Sequence, residues 1–356
     1  MEYACYTDWK SLPDTANALF SRAAQDSVFL SRPWFENLVE HALEEGQSLF
    51  LACVVEEGNV LAILPLMQCE GEHWHSLGHL YTSLYSVLLA EDAPREVLSC
   101  LVEGLNRTSV HSLRLHPLAD DDTPMHDLQR ALEESGFSCH RYFRFYNWIH
   151  RLQGESYEDY MAARPARVRN TVARKQRKLE REHDCTVHIY SRSDVEQGMA
   201  DYNSVYAASW KVNELFANTV AGMASRFSET GWLRLGVLYI EDQPAAAQFW
   251  FVAHGKASIF KLAYDETWKH YSPGSILTRH LMEYVIDVDK VDEIDFLTGN
   301  DAYKRDWMSE RRERCGLRCV NMNPGASRLT RLPGFFRQWF KGAVIKNLRA
   351  PLSIRG

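Results

Sequence analysis

The chain has 356 residues, 46% of them hydrophobic and 24% charged, with a formal net charge of -7. That length exceeds what one hydrophobic core usually organises, so two domains are expected, and the hydrophobic content excludes an intrinsically disordered chain. The negative balance excludes a chain that is basic throughout, although no Asp or Glu follows Glu313.

The start, MEYACYTDWKSL, lacks a charged-then-apolar leader, and no run approaches the roughly 20 apolar residues that span a bilayer. The eight cysteines (Cys5, Cys53, Cys69, Cys100, Cys139, Cys185, Cys315, Cys319) show neither a disulfide framework nor zinc-ribbon spacing. A reducing, cytoplasmic setting is the expectation, for a protein neither secreted through a classical signal nor integral to a membrane.

In chain order, Trp34, Leu38, Val39 and Leu43 recur at helical spacing. Two apolar runs follow, Leu49 to Val55 and Val60 to Met67, around the polar turn Glu56-Glu57-Gly58-Asn59, which is a hairpin signal. The spacing then predicts a helix near 94–105, a strand at 112–116 and a helix near 124–135. A junction is expected near Arg151 to Tyr157. A clearer three-strand meander covers 233–240, 245–253 and 257–264, with turns at Glu241-Asp242-Gln243-Pro244 and Gly255-Lys256. After it come a helix at 273–288, a strand at 293–297, a short helix near 302–308 and a strand at 317–322. Meander, helix, strand, helix, strand is the element order of the GNAT acyltransferase fold, and the first half repeats that order more loosely.

Ser272-Pro273-Gly274-Ser275 opens the helix whose apolar face is Ile276, Leu277, Leu281, Tyr284, Val285 and Val288. The tetrapeptide reads as a cap, with Ser272 at the N-cap and Pro273 in the first turn, or as a cradle for the diphosphate of an acyl carrier. In the latter, free backbone amides and the positive helix end attract the anion and Gly274 admits close approach. The corresponding first-half helix start, Glu91 to Glu96, carries three carboxylates that would repel phosphate, so the donor is expected in the second half. Asp295 through Trp307 gathers ionisable groups at a strand end and the following helix, where α/β folds place ligands.

Arg164 to Arg181 carries eight positive charges against Glu180 and Glu182. Such a helix is either a solvated face or a partner for nucleotide or tRNA phosphate. The tail beyond residue 326 mixes Phe335, Phe336, Trp339 and Phe340 with Arg and Lys. It would lie at a membrane interface or dock on the protein itself. His73, His75 and His79 complete no known metal spacing, and no metal is expected.

The order Trp210, Lys261 with Ala263-Tyr264-Asp265, Ser272-Pro273-Gly274, and Asp295-Phe296 through Gly299 to Tyr303-Lys304 and Trp307 resembles the CelD-like acetyltransferases. Phe29 to Trp34 and Ala62 to Leu66 extend the resemblance over nearly the whole chain. That group is related to the Fem-type enzymes, which add amino acids from aminoacyl-tRNA to peptidoglycan precursors. By position, Lys304 matches a lysine implicated in holding the Fem-type donor. The usual GNAT phosphate loop is not matched, since Tyr271 and Ile276 occupy its outer positions.

The expected architecture is therefore α/β, two GNAT-like domains in tandem, each a mixed, mostly antiparallel sheet flanked by helices. A degenerate domain would cover 1–150, a catalytic one 151–325, and a basic amphipathic tail 326–356. The expected activity is transfer of an acyl group from acyl-CoA or a similar thioester to an amine or hydroxyl acceptor, in the biosynthesis of an envelope polysaccharide or its precursor. Two alternatives stay open: an aminoacyl-tRNA-dependent ligase of the Fem type, with tRNA as partner, and a GNAT-like binding module without catalysis. The expected catalytic groups are Asp295 for acceptor positioning or proton removal, Tyr303 as proton donor, Lys304 for donor phosphate or developing charge, and Lys261 as a charge facing the cleft. Ser272, Gly274, Ser275 and Gly299 are expected at the donor cofactor, and Trp210, Arg167 and Asn300 in substrate binding. The tail would make peripheral contact with the inner membrane surface.

Overall fold

The computed structural model describes residues 1–69, 72–108, 110–211 and 214–323; the expected tail at 326–356 lies outside them. The first half runs β1 (Glu2–Tyr6), α1 (Ala16–Asp26), α2 (Arg32–His41), β2 (Ser48–Glu56), β3 (Asn59–Gln68), β4 (His73–Ser76), β5 (Leu88–Leu89), α3 (Glu96–Arg107), β6 (Ser112–Ala119), α4 (Thr123–Glu134) and β7 (Phe137–Arg151). The second runs α5 (Tyr157–Ala162), α6 (Ala166–Glu182), β8 (Cys185–Tyr190), α7 (Val195–Ala207), α8 (Ala217–Glu229), β9 (Leu233–Ile240), β10 (Gln243–Ala253), β11 (Lys256–Tyr264), α9 (Pro273–Asp287), β12 (Glu293–Thr298), α10 (Ala302–Trp307) and β13 (Glu310–Asn321).

All the strands join one mixed sheet in the order β1-β2-β3-β4-β6-β13-β7-β12-β11-β10-β9-β8, with β5 beside β3. In each half one parallel pair, β4 with β6 and β11 with β12, interrupts antiparallel neighbours. The halves exchange strands at the centre. β7 pairs with β12 of the second half, and β13 lies between β7 and β6 of the first. The sheet is thereby continuous, although its two ends are each built locally from hairpins, whose pairing is set by short turns such as Glu57-Gly58, where φ is positive at both residues.

Strand alternation sends successive side chains to opposite faces. On one face Leu49, Leu51 and Cys53 of β2 and Phe249 and Phe251 of β10 share a core with α1, α2, α7 and α8, so this layer spans both halves. Phe251 meets Phe29 and Trp34 edge-on at 6.4 and 6.5 Å. The Asn37 amide donates to the Thr219 carbonyl at 3.0 Å, tying α2 to α8. On the other face, α3 and α4 cover the first half and α5, α6 and α9 the second. Cys139 and Cys319, opposite each other on β7 and β13, form a disulfide across the exchange. This corrects the expectation that no cysteines pair: the sheet, not sequence spacing, brings them together. No helix among the described residues is long and apolar enough to cross a membrane.

Candidate active site

β11 and β12 pair only through 256–258 and 293–295 and then diverge, opening a splay between Phe260 to Tyr264 and Phe296 to Thr298. The β12 wall is shaped by an irregularity against β7, where register jumps between Asp295 and Thr298. Leu297 takes a left-handed φ of 50° there, and the Asn147 amide fills the gap by donating to the Leu297 carbonyl at 3.1 Å and to Asp295. The Asp295 carboxylate also accepts from the Leu297 amide at 2.6 Å and from the Arg312 guanidinium at 2.9 Å. Three donors thus occupy the group expected to handle the acceptor, and its clearest task is to hold the bulge.

Lys304 is 6% exposed and donates to the Phe296 and Thr298 carbonyls at 2.6 and 2.7 Å. Burial lowers its pKa to about 8, against the opposing pull of Asp301 and Asp295. Gly299, at φ 130°, lies over this ammonium: a Cβ there would stand 3.3 Å from Nζ. The Tyr303 ring packs on Phe296 at 5.9 Å, and burial raises its hydroxyl pKa, keeping it protonated. Asn300 accepts from the Trp148 indole at 3.0 Å, and Arg167 pairs with Asp306 while remaining largely exposed. The structure therefore brings Asp295, Gly299, Asn300, Tyr303 and Lys304 together as the frame of the β12 wall. Arg167 sits outside it, on the α6–α10 seam.

The β11 wall carries the denser chemistry. The Lys261 ammonium pairs with Glu214, donates to the Tyr81 hydroxyl at 2.8 Å and stands 4.0 Å from the centre of the Tyr81 ring. The Tyr81 hydroxyl donates to the same Glu214 carboxylate. Burial raises the Glu214 pKa, but hydrogen bonds from Lys261 and Tyr81 outweigh it and hold the carboxyl below its ordinary value. Burial also lowers Lys261, and burial with the Lys261 charge lowers Lys211 to about 8. The Lys211 ammonium lies 5.5 and 5.8 Å from the Tyr206 and Trp210 rings. His79, its pKa lowered to about 4 by burial and by Lys261, is neutral and neither ring nitrogen has a hydrogen-bond partner. Its ring packs edge-on against Phe216 at 4.3 Å.

From this wall a row of rings leads to the start of α9. Trp210 lies 4.4 Å from Tyr264, and a Cβ on Gly274 would meet Tyr264 at 3.2 Å. The buried Gln248 of β10 fixes that helix start by donating to the Gly274 carbonyl at 2.8 Å and the Thr278 hydroxyl at 2.7 Å. Ser272 does not cap: at φ 58° its side chain accepts no helix amide, and its backbone carbonyl instead takes the Ser275 amide at 3.0 Å. The left-handed turn thus replaces the expected side-chain cap. α6 lies alongside, with Lys175 donating to the His270 carbonyl and the Lys178 ammonium 5.0 Å from the Tyr271 ring.

Tyr81, Tyr206, Lys211 and Glu214 were not among the sequence-based candidates, and His79 was considered only for metal. Glu214 is 47 residues from Lys261, and Tyr81 is 180 residues away, so no local spacing links them. Among the described residues, no group of three or more His, Cys, Asp or Glu side chains is arranged to hold a metal ion.

The family model for the acetyltransferase (GNAT) domain matches residues 166–305, which contain α9, the splay and the Lys261 wall. No curated protein matches the chain. Among solved structures, FemX is similar with a TM-score of 0.63 at 12% identity, over 91% of this chain and 98% of that one. The C-terminal domain of a putative lysylphosphatidylglycerol synthetase from Agrobacterium fabrum is similar with a TM-score of 0.54 at 11% identity, over 87% and 93% of the two chains. L-PGS from Bacillus licheniformis gives 0.51 at 10% identity, over 82% and 92%. At these identities the likeness is one of fold.

Proposed function

We propose that the chain is an acyltransferase that passes an acyl group from a carrier thioester to an amine or hydroxyl acceptor at the β11–β12 splay, where the second half supplies Lys261 and Lys211 and the first half supplies His79 and Tyr81. The observation that carries this reading is the enclosed Lys261–Glu214–Tyr81 group on one wall of the splay, connected by Trp210 and Tyr264 to the α9 start. The GNAT-domain match over 166–305, which includes Trp210, Glu214, Lys261 and Tyr264 but not Tyr81, supports it.

In this mechanism the acceptor attacks the donor carbonyl directly, within a ternary complex. The new bond to the acceptor nitrogen or oxygen forms as the carrier's sulfur leaves, and the acceptor's proton passes to a base. His79, whose ring nitrogens are unengaged, is assigned that task. Lys261 and Lys211 would stabilise negative charge developing on the carbonyl oxygen. Asp295 and Lys304 are positioning residues here, since each is committed to the geometry of β12.

A second donor, aminoacyl-tRNA, is favoured by one specific observation. Arg169, Arg174 and Arg177 are exposed on α6 and none pairs with a carboxylate among the described residues. Exposed cations without paired carboxylates on α6, whose Lys175 reaches the His270 carbonyl just ahead of α9, suit a phosphate backbone. The full chain should be incubated with acetyl-CoA or with charged tRNA, each with a pool of amines and sugars, and the products weighed by mass spectrometry. A mass increment equal to the donor's acyl group supports the proposal and identifies the donor; binding of donor with no product points to a non-catalytic module.

A further inference from the structure

A cleft of about 620 Å³ lies on the sheet face shared by both halves, between the 83–91 loop, the start of α4 and the ends of β11, β12 and β13. Its volume falls in the range that holds small organic ligands. Two arginines of β13 line it, separated by one residue and so on one strand face. Arg312 is satisfied by Glu293 at 3.0 Å and Asp295 at 2.9 Å. Arg314 is 4% exposed, its Nε has no hydrogen-bond partner, and no carboxylate pairs with it among the described residues.

An enclosed guanidinium without a carboxylate in contact is costly, and in folded proteins such groups are paired or bind a ligand. Of the carboxylates that line the cleft, Glu293 and Asp295 are taken by Arg312, Asp122 accepts from the Met125 amide at 3.1 Å, and Asp26, Glu91 and Asp121 are exposed. A second buried polar group on the same cleft, the Ser83 hydroxyl, also lacks a partner, and Ser258 adds another hydroxyl to the wall. A buried guanidinium without an ion-pair partner, beside hydroxyls, fits a planar or tetrahedral oxyanion on a hydroxylated molecule.

We infer that this cleft is a binding site for an oxyanion, a carboxylate or a phosphate ester, held by Arg314 with Ser83 and Ser258 beside it. Identifying that anion as part of the acyl acceptor rests on the acyl-transfer reading; the anion site itself does not. Asp295 and Ser258 link the two places, since both line the cleft while belonging to the strands that form the splay. An anionic acceptor seated on Arg314 would therefore lie on the strands that lead to the transfer site.

The test is thermal unfolding of the full chain with glucuronate, with inorganic phosphate, and with galactose as the neutral probe, all at matched chloride. The wild type should be stabilised by one or both anions and not by galactose; the stronger response distinguishes carboxylate from phosphate. Arg314→Met should melt at or above the wild-type temperature without added anion, because it removes an unpaired buried charge, and should need about tenfold more anion for half the shift. Ser258→Leu, which adds bulk to the cleft wall and leaves the Arg314 charge in place, should weaken the response as well. The inference is overturned if no anion stabilises the wild type beyond chloride, if both variants respond as the wild type does, or if Arg314→Met melts lower and keeps its anion response. None of these readouts involves catalysis, so loss of the anion site and loss of acyl transfer are separately observed.

Discussion

Lys261 and Glu214 form an ion pair on the wall of the β11–β12 splay, with 9% and 12% of their side chains exposed. The pair joins β11 to the segment before α8, and Tyr81 bonds to both partners from the first half. One small polar group therefore unites three distant stretches of chain at the place where the sheet opens.

Removing the Glu214 charge should expose how much this group depends on it. In Glu214→Gln the ammonium groups of Lys261 and Lys211 would lose their shared counter-charge, and a loss of about 2 kcal/mol of stability is expected. The folded protein holds the Glu214 carboxyl below its ordinary value, so the wild-type contribution is present above the unfolded pKa and disappears as pH falls through the lower folded pKa. Urea unfolding of both proteins across that acidic range should show the difference shrinking toward lower pH. A constant difference would separate the loss from Glu214 ionisation.

Lys304 predicts a pH effect in the opposite range. Its folded pKa of about 8 lies below the ordinary lysine value, so on raising pH the folded state releases this proton before the unfolded state does. Stability from this group should rise between about pH 8 and pH 10.4. Lys304→Met should flatten that window and, by leaving the Phe296 and Thr298 carbonyls without their donor, cost about 1–3 kcal/mol at pH 7. Unchanged unfolding in the variant at both pH values would show that the buried ammonium does not hold β12.

Asp295 is expected to act through geometry. In Asp295→Asn, Arg312 would retain Glu293 but lose its second carboxylate, and the Leu297 amide would keep only a neutral acceptor. Stability should fall by about 3 kcal/mol, with slower turnover accompanied by altered donor KM. A variant that melts like the wild type yet loses kcat alone would instead make Asp295 the proton acceptor.

The tRNA alternative has its own signature. If charged tRNA is the donor, replacing Arg169, Arg174 and Arg177 with Ala should reduce the steepness of the salt dependence by about two to three in log-log slope. If acyl-CoA is the donor, the triple variant should retain the wild-type KM for it. Binding measured from low to moderate salt distinguishes the two outcomes.

The sequence made the second-half meander legible because β9, β10 and β11 alternate or run apolar between clear turns, and α9 shows a helical apolar face. The fifteen-residue β7 was not anticipated. Its sequence, FSCHRYFRFYNWIHR, mixes charged and aromatic residues and lacks a clean buried-exposed alternation, because both of its neighbours come from the far end of the chain. The start of β13 was missed for the same reason, since Glu310 to Arg314 are charged and become a strand by pairing with β7.

The site was legible on the β12 side and at α9, where the candidate residues lie close in sequence. Lys261 was identifiable, but its partners were not. Glu214 lies in an ordinary polar loop, and Tyr81 becomes a neighbour only when the two halves share one sheet face. Asp295 and Lys304 illustrate the converse: residue type suggested chemistry, whereas both are buried and hydrogen-bonded within the β12 wall, the observation behind the positioning role proposed for them.

The most direct test of the account is acyl transfer by Lys261→Ala compared with the wild type, using whichever donor the product masses identify, with folding checked by circular dichroism. The account predicts a fall in kcat/KM of about 100- to 1,000-fold, the usual effect of removing one electrostatic stabiliser of an oxyanion, in a variant that remains folded. A folded Lys261→Ala protein with wild-type kcat/KM would contradict it.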